Sequence, residues 1–165
     1  MRRGLSVILG DVGTGKTTLS RTLLQSFQGE DSFIFHLILD PNYKTEFQFL
    51  SSLAKMFGIT PELRSTLEYK DAIEKYLFHK GVDENKTIIL LIDEGQKLTR
   101  EIFNKFRPRV RVKPYKVVIL GSEDPREQSR EQRQFFDTLV AIARSNPDEW
   151  DYFHWETEQN IFFPK

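Results

Sequence analysis

Gly10-Asp11-Val12-Gly13-Thr14-Gly15-Lys16-Thr17 is the stretch on which the reading of this chain turns. It satisfies the spacing G-x-x-x-x-G-K-[ST], the Walker A pattern, and is followed by Thr18. Gly10, Gly13 and Gly15 let the backbone curl closely around phosphate oxygens with its N–H groups pointing inward. A helix starting near Lys16 adds the positive end of its dipole to the same anion. Asp11, Val12, Thr14 and Thr18 complete the candidate phosphate site. Lys16 is the residue to bridge the β- and γ-phosphates of a nucleotide, and the Thr17 hydroxyl is the one to ligate Mg²⁺. With glycine at ~7% of average usage and the other required types at ~5% each, a chance match in this length falls below roughly one in a hundred. The flanks agree. Leu5 to Leu9 is an apolar run suited to a buried strand, and Leu19, Leu23, Leu24 and Phe27 recur at helical spacing up to Gly29.

Thr87-Ile88-Ile89-Leu90-Leu91-Ile92-Asp93-Glu94 is the second signal. An aliphatic strand of the doubly covered, parallel kind delivers two carboxylates at its C-terminal end, where ligands bind in open α/β sheets. Asp93 is placed to hold Mg²⁺, directly or through water, and Glu94 to polarise an attacking water. Alone, a strand ending in Asp-Glu is an ordinary start to a loop; beside a phosphate loop it reads as hydrolytic. A glutamate of this kind on the strand beside the phosphate-loop strand points to ATP hydrolysis, with Lys16 and Glu94 as the catalytic candidates. Asn104-Lys105-Phe106-Arg107 opens like the guanine-reading N-K-x-D but carries Arg where Asp must accept the base's hydrogen bonds, so GTPases fit poorly. Small-molecule kinases share the loop and remain an alternative, though they have little need of a water-activating carboxylate.

Around these motifs the chain alternates strand and helix. Phe33 to Leu39 reads as a strand, Phe47 to Phe57 as a helix ending at Gly58, and Leu63 to Lys80 as a third helix. Leu98, Ile102 and Phe106 mark a short helical face, Lys116 to Leu120 a fourth strand, and Gln132 to Arg144 a last helix. Such alternation with few hairpin signals gives a parallel α/β sheet. The 165 residues suit a single domain, 1–165, and 39% apolar residues with 14 Phe supply its core. The absence of Cys excludes a disulfide scaffold, a cysteine zinc site and a catalytic thiol. No apolar run approaches a membrane span and the start has no secretory pattern, so the chain reads as cytoplasmic.

Net charge is zero, yet Lys97, Arg100, Lys105, Arg107, Arg109, Arg111, Lys113 and Lys116 crowd one stretch. It reads as a charged, soluble edge or a subunit contact, and alternatively as a DNA-binding face over residues 97–116. Ser122, just past the fourth strand, is either a γ-phosphate-sensing polar group or a plain strand-ending serine. Arg126, Arg130 and Arg133 include candidates for an arginine finger inserted into a neighbour's site; as solvated helix arginines they would pair with Glu123, Asp124, Glu127 and Glu131. His36, His79 and His154 show no metal spacing, and His36 reads as a packed strand residue. The aromatic, acidic stretch from Trp150 offers a fifth strand without fixing its place.

Taken with Leu37-Ile38-Leu39-Asp40-Pro41 and the strand ending Leu120-Gly121-Ser122, the two motifs resemble those of the AAA+ ATPases of the general secretion pathway, the ExeA/GspA type. The TniB- and MuB-like transposition ATPases are related. The likeness covers roughly residues 4–127 and leaves the match of 128–165 open. It implies a three-layer α/β/α P-loop core with an added strand, sheet order 5-1-4-3-2, binding ATP and Mg²⁺. It also implies a homo-oligomer, and a protein partner in a secretion-type assembly at the inner face of the inner membrane. The family's helical lid, with its sensor arginine, has no recognisable match after Arg133, so the lid is expected to be missing. Two further implications stay open: an ATP-gated DNA-binding adaptor of the transposition type, and a nucleotide-binding module that is inactive without a neighbouring subunit.

Overall fold

Six- and seven-residue runs of aliphatic and aromatic side chains build the sheet. The computed structural model describes residues 5–11, 13–60, 63–106, 115–122, 129–145 and 150–155. The strands are β1 (Leu5–Gly10), β2 (Phe33–Ile38), β3 (Thr87–Ile92), β4 (Tyr115–Gly121) and β5 (Trp150–Trp155). The helices are α1 (Lys16–Ser26), α2 (Glu46–Met56), α3 (Thr66–Phe78), α4 (Arg100–Phe106) and α5 (Arg130–Ser145). All pairings are parallel, in the order β2-β3-β4-β1-β5. This is the order the family resemblance implies, read from the other edge. It corrects one reading of the motifs: the strand that delivers Asp93 and Glu94 is not beside the phosphate-loop strand, because β4 lies between β1 and β3. The stretch from Trp150 finds its place as the edge strand beside β1, with Leu5 opposite Trp150 and Gly10 opposite Trp155.

Strand periodicity divides the side chains between two faces. Val7, Leu9, Ile88, Leu90, Ile92, Val117 and Ile119 share one face and pack with the buried residues of α2, α3, α4 and α5 in a single core. Phe33 and Phe35 point the other way, onto Phe27 just past α1. Right-handed crossovers dictate that split. The step from β1 to β2 runs toward one edge of the sheet, and the steps through β3, β4 and β5 run back. β3 is the centre of the packing, with Ile88, Leu90, Leu91 and Ile92 at most 1% exposed. Each such side chain contributes about 1.5–3 kcal/mol by leaving water.

The helix starts explain several boundaries. α2 begins where Thr45 Oγ1 accepts the Gln48 N–H. α3 begins at a capping box formed by Ser65 and Glu68, three residues later than apolar periodicity alone suggests. It ends at Phe78 in a π-helical turn, His79–Asp83, where a regular helix to Lys80 was expected. On α2, Phe47 is 40% exposed and meets Tyr69 edge-on, while Phe49, Leu50, Leu53 and Ala54 face the core. His36 is packed, as its strand position suggests, between Phe57 at 4.6 Å and Tyr76 at 6.3 Å between ring centres. Burial holds its pKa down at about 4.

Candidate nucleotide site

The site is assembled where β1, β3 and β4 end. Gly13 and Gly15 both take φ of 82°, the left-handed region that glycine enters without steric cost. Gly15 is the N-cap of α1 and supplies no side-chain cap, and no acidic residue lies in the first turn. The N–H groups that open this helix therefore have no side-chain acceptor from the cap, which is how a helix start serves an anion.

Lys16 is buried and turned back over its own loop. Its ammonium donates to the carbonyls of Gly10 at 2.8 Å and Asp11 at 2.6 Å, and more weakly to Thr14 Oγ1 at 3.5 Å. Thr14, 1% exposed, donates its hydroxyl to the same Asp11 carbonyl at 2.9 Å. Burial pulls the Lys16 pKa down from its ordinary value, while Asp93, Glu94 and Asp11 push it back up. The field of both β3 carboxylates thus reaches the phosphate-loop lysine, which ties the two motifs together.

Direct contact does the same. Thr17 Oγ1 donates to Asp93 Oδ2 at 2.5 Å, and Asp93 Oδ1 accepts the N–H of Glu94 at 3.0 Å. Asp93 is 3% exposed, so its carboxylate is held by partners rather than by water. Glu94 is one of two described non-glycine residues with positive φ, at 53°. A bulky side chain in that region costs roughly 1–3 kcal/mol, which the surrounding turn must sustain. That turn, the 3-10 segment Gly95–Lys97, is wedged against β4. A Cβ on Gly95 would come 2.2 Å from Ile119 Cγ2 and 3.1 Å from the Leu120 carbonyl oxygen.

Two residues that the motif reading did not single out complete the arrangement. Gln96, 5% exposed, donates from Nε2 to Glu94 Oε2 at 2.8 Å, and its Oε1 accepts the Ser122 N–H at 3.1 Å. The Lys97 ammonium lies 3.7 Å from both Glu94 Oε2 and Asp40 Oδ1. Both follow directly on the carboxylates in Gly95-Gln96-Lys97-Leu98, and Lys97 also opens the basic stretch. Ser122 itself is buried at the end of β4, between the two motif strands.

Other candidates stand apart. Thr18 is exposed on α1. Arg130 and Arg133 are exposed at the start of α5, while Val12 and Arg126 lie outside the described residues. The alternating part of the basic stretch, Arg107 to Lys113, lies outside the described residues. Lys97 serves the site, and Arg100 lies over the Phe135 ring at 5.9 Å.

A parallel sheet carrying a glycine-rich loop and helix after β1, with carboxylates after β3, defines a P-loop nucleotide-binding core. Residues 1–128 match the family described as AAA domain, and the chain belongs to that family. It is 28% identical over 179 aligned positions to general secretion pathway protein A of Aeromonas hydrophila, covering 98% of this chain and 32% of that protein. Its fold is similar to the Aeropyrum pernix ORC2 protein solved with ADPNP and ADP, with a TM-score of 0.60 at 16% identity over 94% of this chain and 42% of that one. Cdc6p from Pyrobaculum aerophilum gives a TM-score of 0.62 at 18% identity, covering 90% and 38%. A Drosophila ORC chain, from a complex bound to DNA, gives 0.59 at 19%, covering 96% and 39%. The chain is an AAA+ α/β core that spans about a third of the secretion protein it resembles.

Proposed function

We propose that this core binds ATP with Mg²⁺ and hydrolyses it, and that turnover drives the assembly or remodelling of a protein partner in a secretion-type system. The observation that carries the chemistry is the Thr17–Asp93 contact, which brings the loop after β1 and the carboxylates after β3 to one point. The donor set suits Mg²⁺: two hard oxygens converge there. Among the described residues no group of three or more His, Cys, Asp or Glu is gathered for a metal. An ion held by one hydroxyl and one carboxylate takes its remaining ligands from water and phosphate, which is the habit of Mg²⁺. When bound, it neutralises charge on the phosphate oxygens.

The chain's own residues supply the rest. Lys16 exchanges its loop carbonyls for phosphate oxygens, relieving the cost of its burial. The α1 N-terminus and the glycine-rich loop orient the phosphates. Glu94 accepts a proton from the attacking water, and Ser122 contacts the γ-phosphate side from β4. The core works in the cytoplasm, where ATP is available, and self-associates so that a neighbour's arginine, such as Arg130 or Arg133, completes the site. Among the described residues no helix is long and apolar enough to cross a membrane. The secretion setting is favoured by the likeness to the Aeromonas protein over nearly the whole chain. The DNA-adaptor reading has less support, since Lys97 and Arg100 are engaged within the protein.

Mg²⁺-dependent release of phosphate from ATP, lost in Glu94→Gln, is the expected result. ATP binding at unchanged affinity in Lys16→Ala overturns the site. For the wider role, sedimentation with and without ATP reports self-association, and salt-insensitive failure to bind duplex DNA removes the adaptor alternative.

A further inference from the structure

Gln96 occupies a position that phosphate binding alone does not require. Its amide spans two strand ends, accepting the Ser122 N–H at the end of β4 and donating to the Glu94 carboxylate after β3. The amide cannot turn round without loss. A backbone N–H only donates, so the side-chain oxygen faces Ser122 and the NH₂ group is thereby aimed at Glu94. The backbone beneath it is equally fixed, because the turn is pressed against β4 at Gly95. Glu94, by contrast, has a side chain 40% exposed and several rotamers open to it. The Gln96 donor selects among those rotamers, and Lys97 draws on the same carboxylate oxygen from 3.7 Å.

We propose that Gln96 is a positioning residue for hydrolysis: it anchors the Glu94 carboxylate to the end of β4, so that the water-activating group and the Ser122 strand end move as one unit. This rests on the reading of Glu94 as the group that activates water. It predicts a rate effect without a binding effect, because the side-chain hydrogen bonds of Gln96 go to Glu94 and Ser122.

Turnover and ADP affinity of the whole chain test it. Gln96→Met keeps the length and loses both hydrogen bonds. Gln96→Glu keeps an acceptor for Ser122 but sets an acceptor against Glu94. Each is expected to lower kcat roughly ten- to a hundredfold, the scale of a small misplacement of a reacting group, while ADP affinity and cooperative unfolding are kept. In a Glu94→Gln background, Gln96→Met is expected to change the residual rate by less than about twofold, since the group it acts through is already gone. Wild-type turnover in a folded Gln96→Met or Gln96→Glu variant overturns the proposal, as does full additivity with Glu94→Gln. If Gln96→Met does not fold, Gln96→Glu decides alone. Unchanged turnover in Glu94→Gln removes the hydrolytic assignment itself. Lost turnover there, with normal turnover in the Gln96 variants, removes only the role of Gln96.

Discussion

α1 and α3 are helices of 11 and 13 residues whose first turns are completed in opposite ways. α3 closes on itself: Ser65 Oγ accepts the Glu68 N–H, and the Glu68 carboxylate accepts the Ser65 N–H. α1 starts at a left-handed glycine with no side chain to offer. A helix start is satisfied by the chain or by a ligand, and the residues spell which: Ser65-Thr66-Leu67-Glu68 for the first, Gly15-Lys16-Thr17 for the second. The buried bases beside each repeat the contrast. Lys16 has Asp93, Glu94 and Asp11 acting against its desolvation, whereas burial is the resolved influence on His36, packed under α2 and α3. Both bases are pulled down by burial, but only Lys16 has carboxylates that oppose the shift.

Substitutions on the two sides should therefore have effects of different kinds. Glu94→Gln is expected to cut ATP turnover by about 10²–10⁴-fold, the range for a general base, with nucleotide affinity retained in a binding titration. Lys16→Ala is expected to weaken ATP binding by roughly ten- to a hundredfold, the equivalent of one charge-assisted hydrogen bond or slightly more. Thermal unfolding without nucleotide should stay the same or rise, because an ammonium whose pKa is lowered by burial is a cost to the unliganded fold. A clear fall in stability would break the contrast.

His36→Phe probes the packed side through pH. The folded protein keeps His36 neutral where the unfolded chain protonates it, so its stability is full above pH 6.5 and is lost as pH falls toward about 4. At full weight that shift is worth about 3 kcal/mol, and solvent screening of the partly exposed ring brings the expected loss to about 1–2 kcal/mol. Denaturant unfolding at about pH 7 and about pH 4.5 should show the acid loss shrinking in the variant. Ser65→Ala gives the smallest effect, about 1 kcal/mol of stability, and should leave ATP affinity untouched. A change in affinity would mean that the two helix starts are coupled.

Much of this was legible in the residues. The phosphate loop, the β3 carboxylates and the alternation of strands and helices were spelled by local spacing, and helix α1 begins at the lysine the motif demands. What was not legible depends on partners distant in sequence. The stretch from Trp150 has no clear period because its place is set by pairing with β1. That β4 lies between β1 and β3 was implied by the family resemblance, while no local pattern of either strand encodes it. Gln96 looked like an ordinary polar turn residue, since its value lies in the N–H of Ser122. The π-helical end of α3, His79–Asp83, is not something apolar spacing signals.

The pairing of β1 has a consequence for the order in which the molecule is made. Leu5 lies against Val117 on one side and Trp150 on the other, so β1 has no sheet neighbour in the first two-thirds of the chain. During synthesis β2 and β3 can pair as soon as both have emerged, but β1 must wait for β4 and β5 to leave the ribosome. Non-local parallel pairing of this kind is slow, because the loop must close before any contact offsets its entropy. The phosphate loop, translated before every strand that flanks β1, is thus completed later than the β2–β3 pair. The loop after β1 is therefore held in a completed sheet only once β4 and β5 have been made.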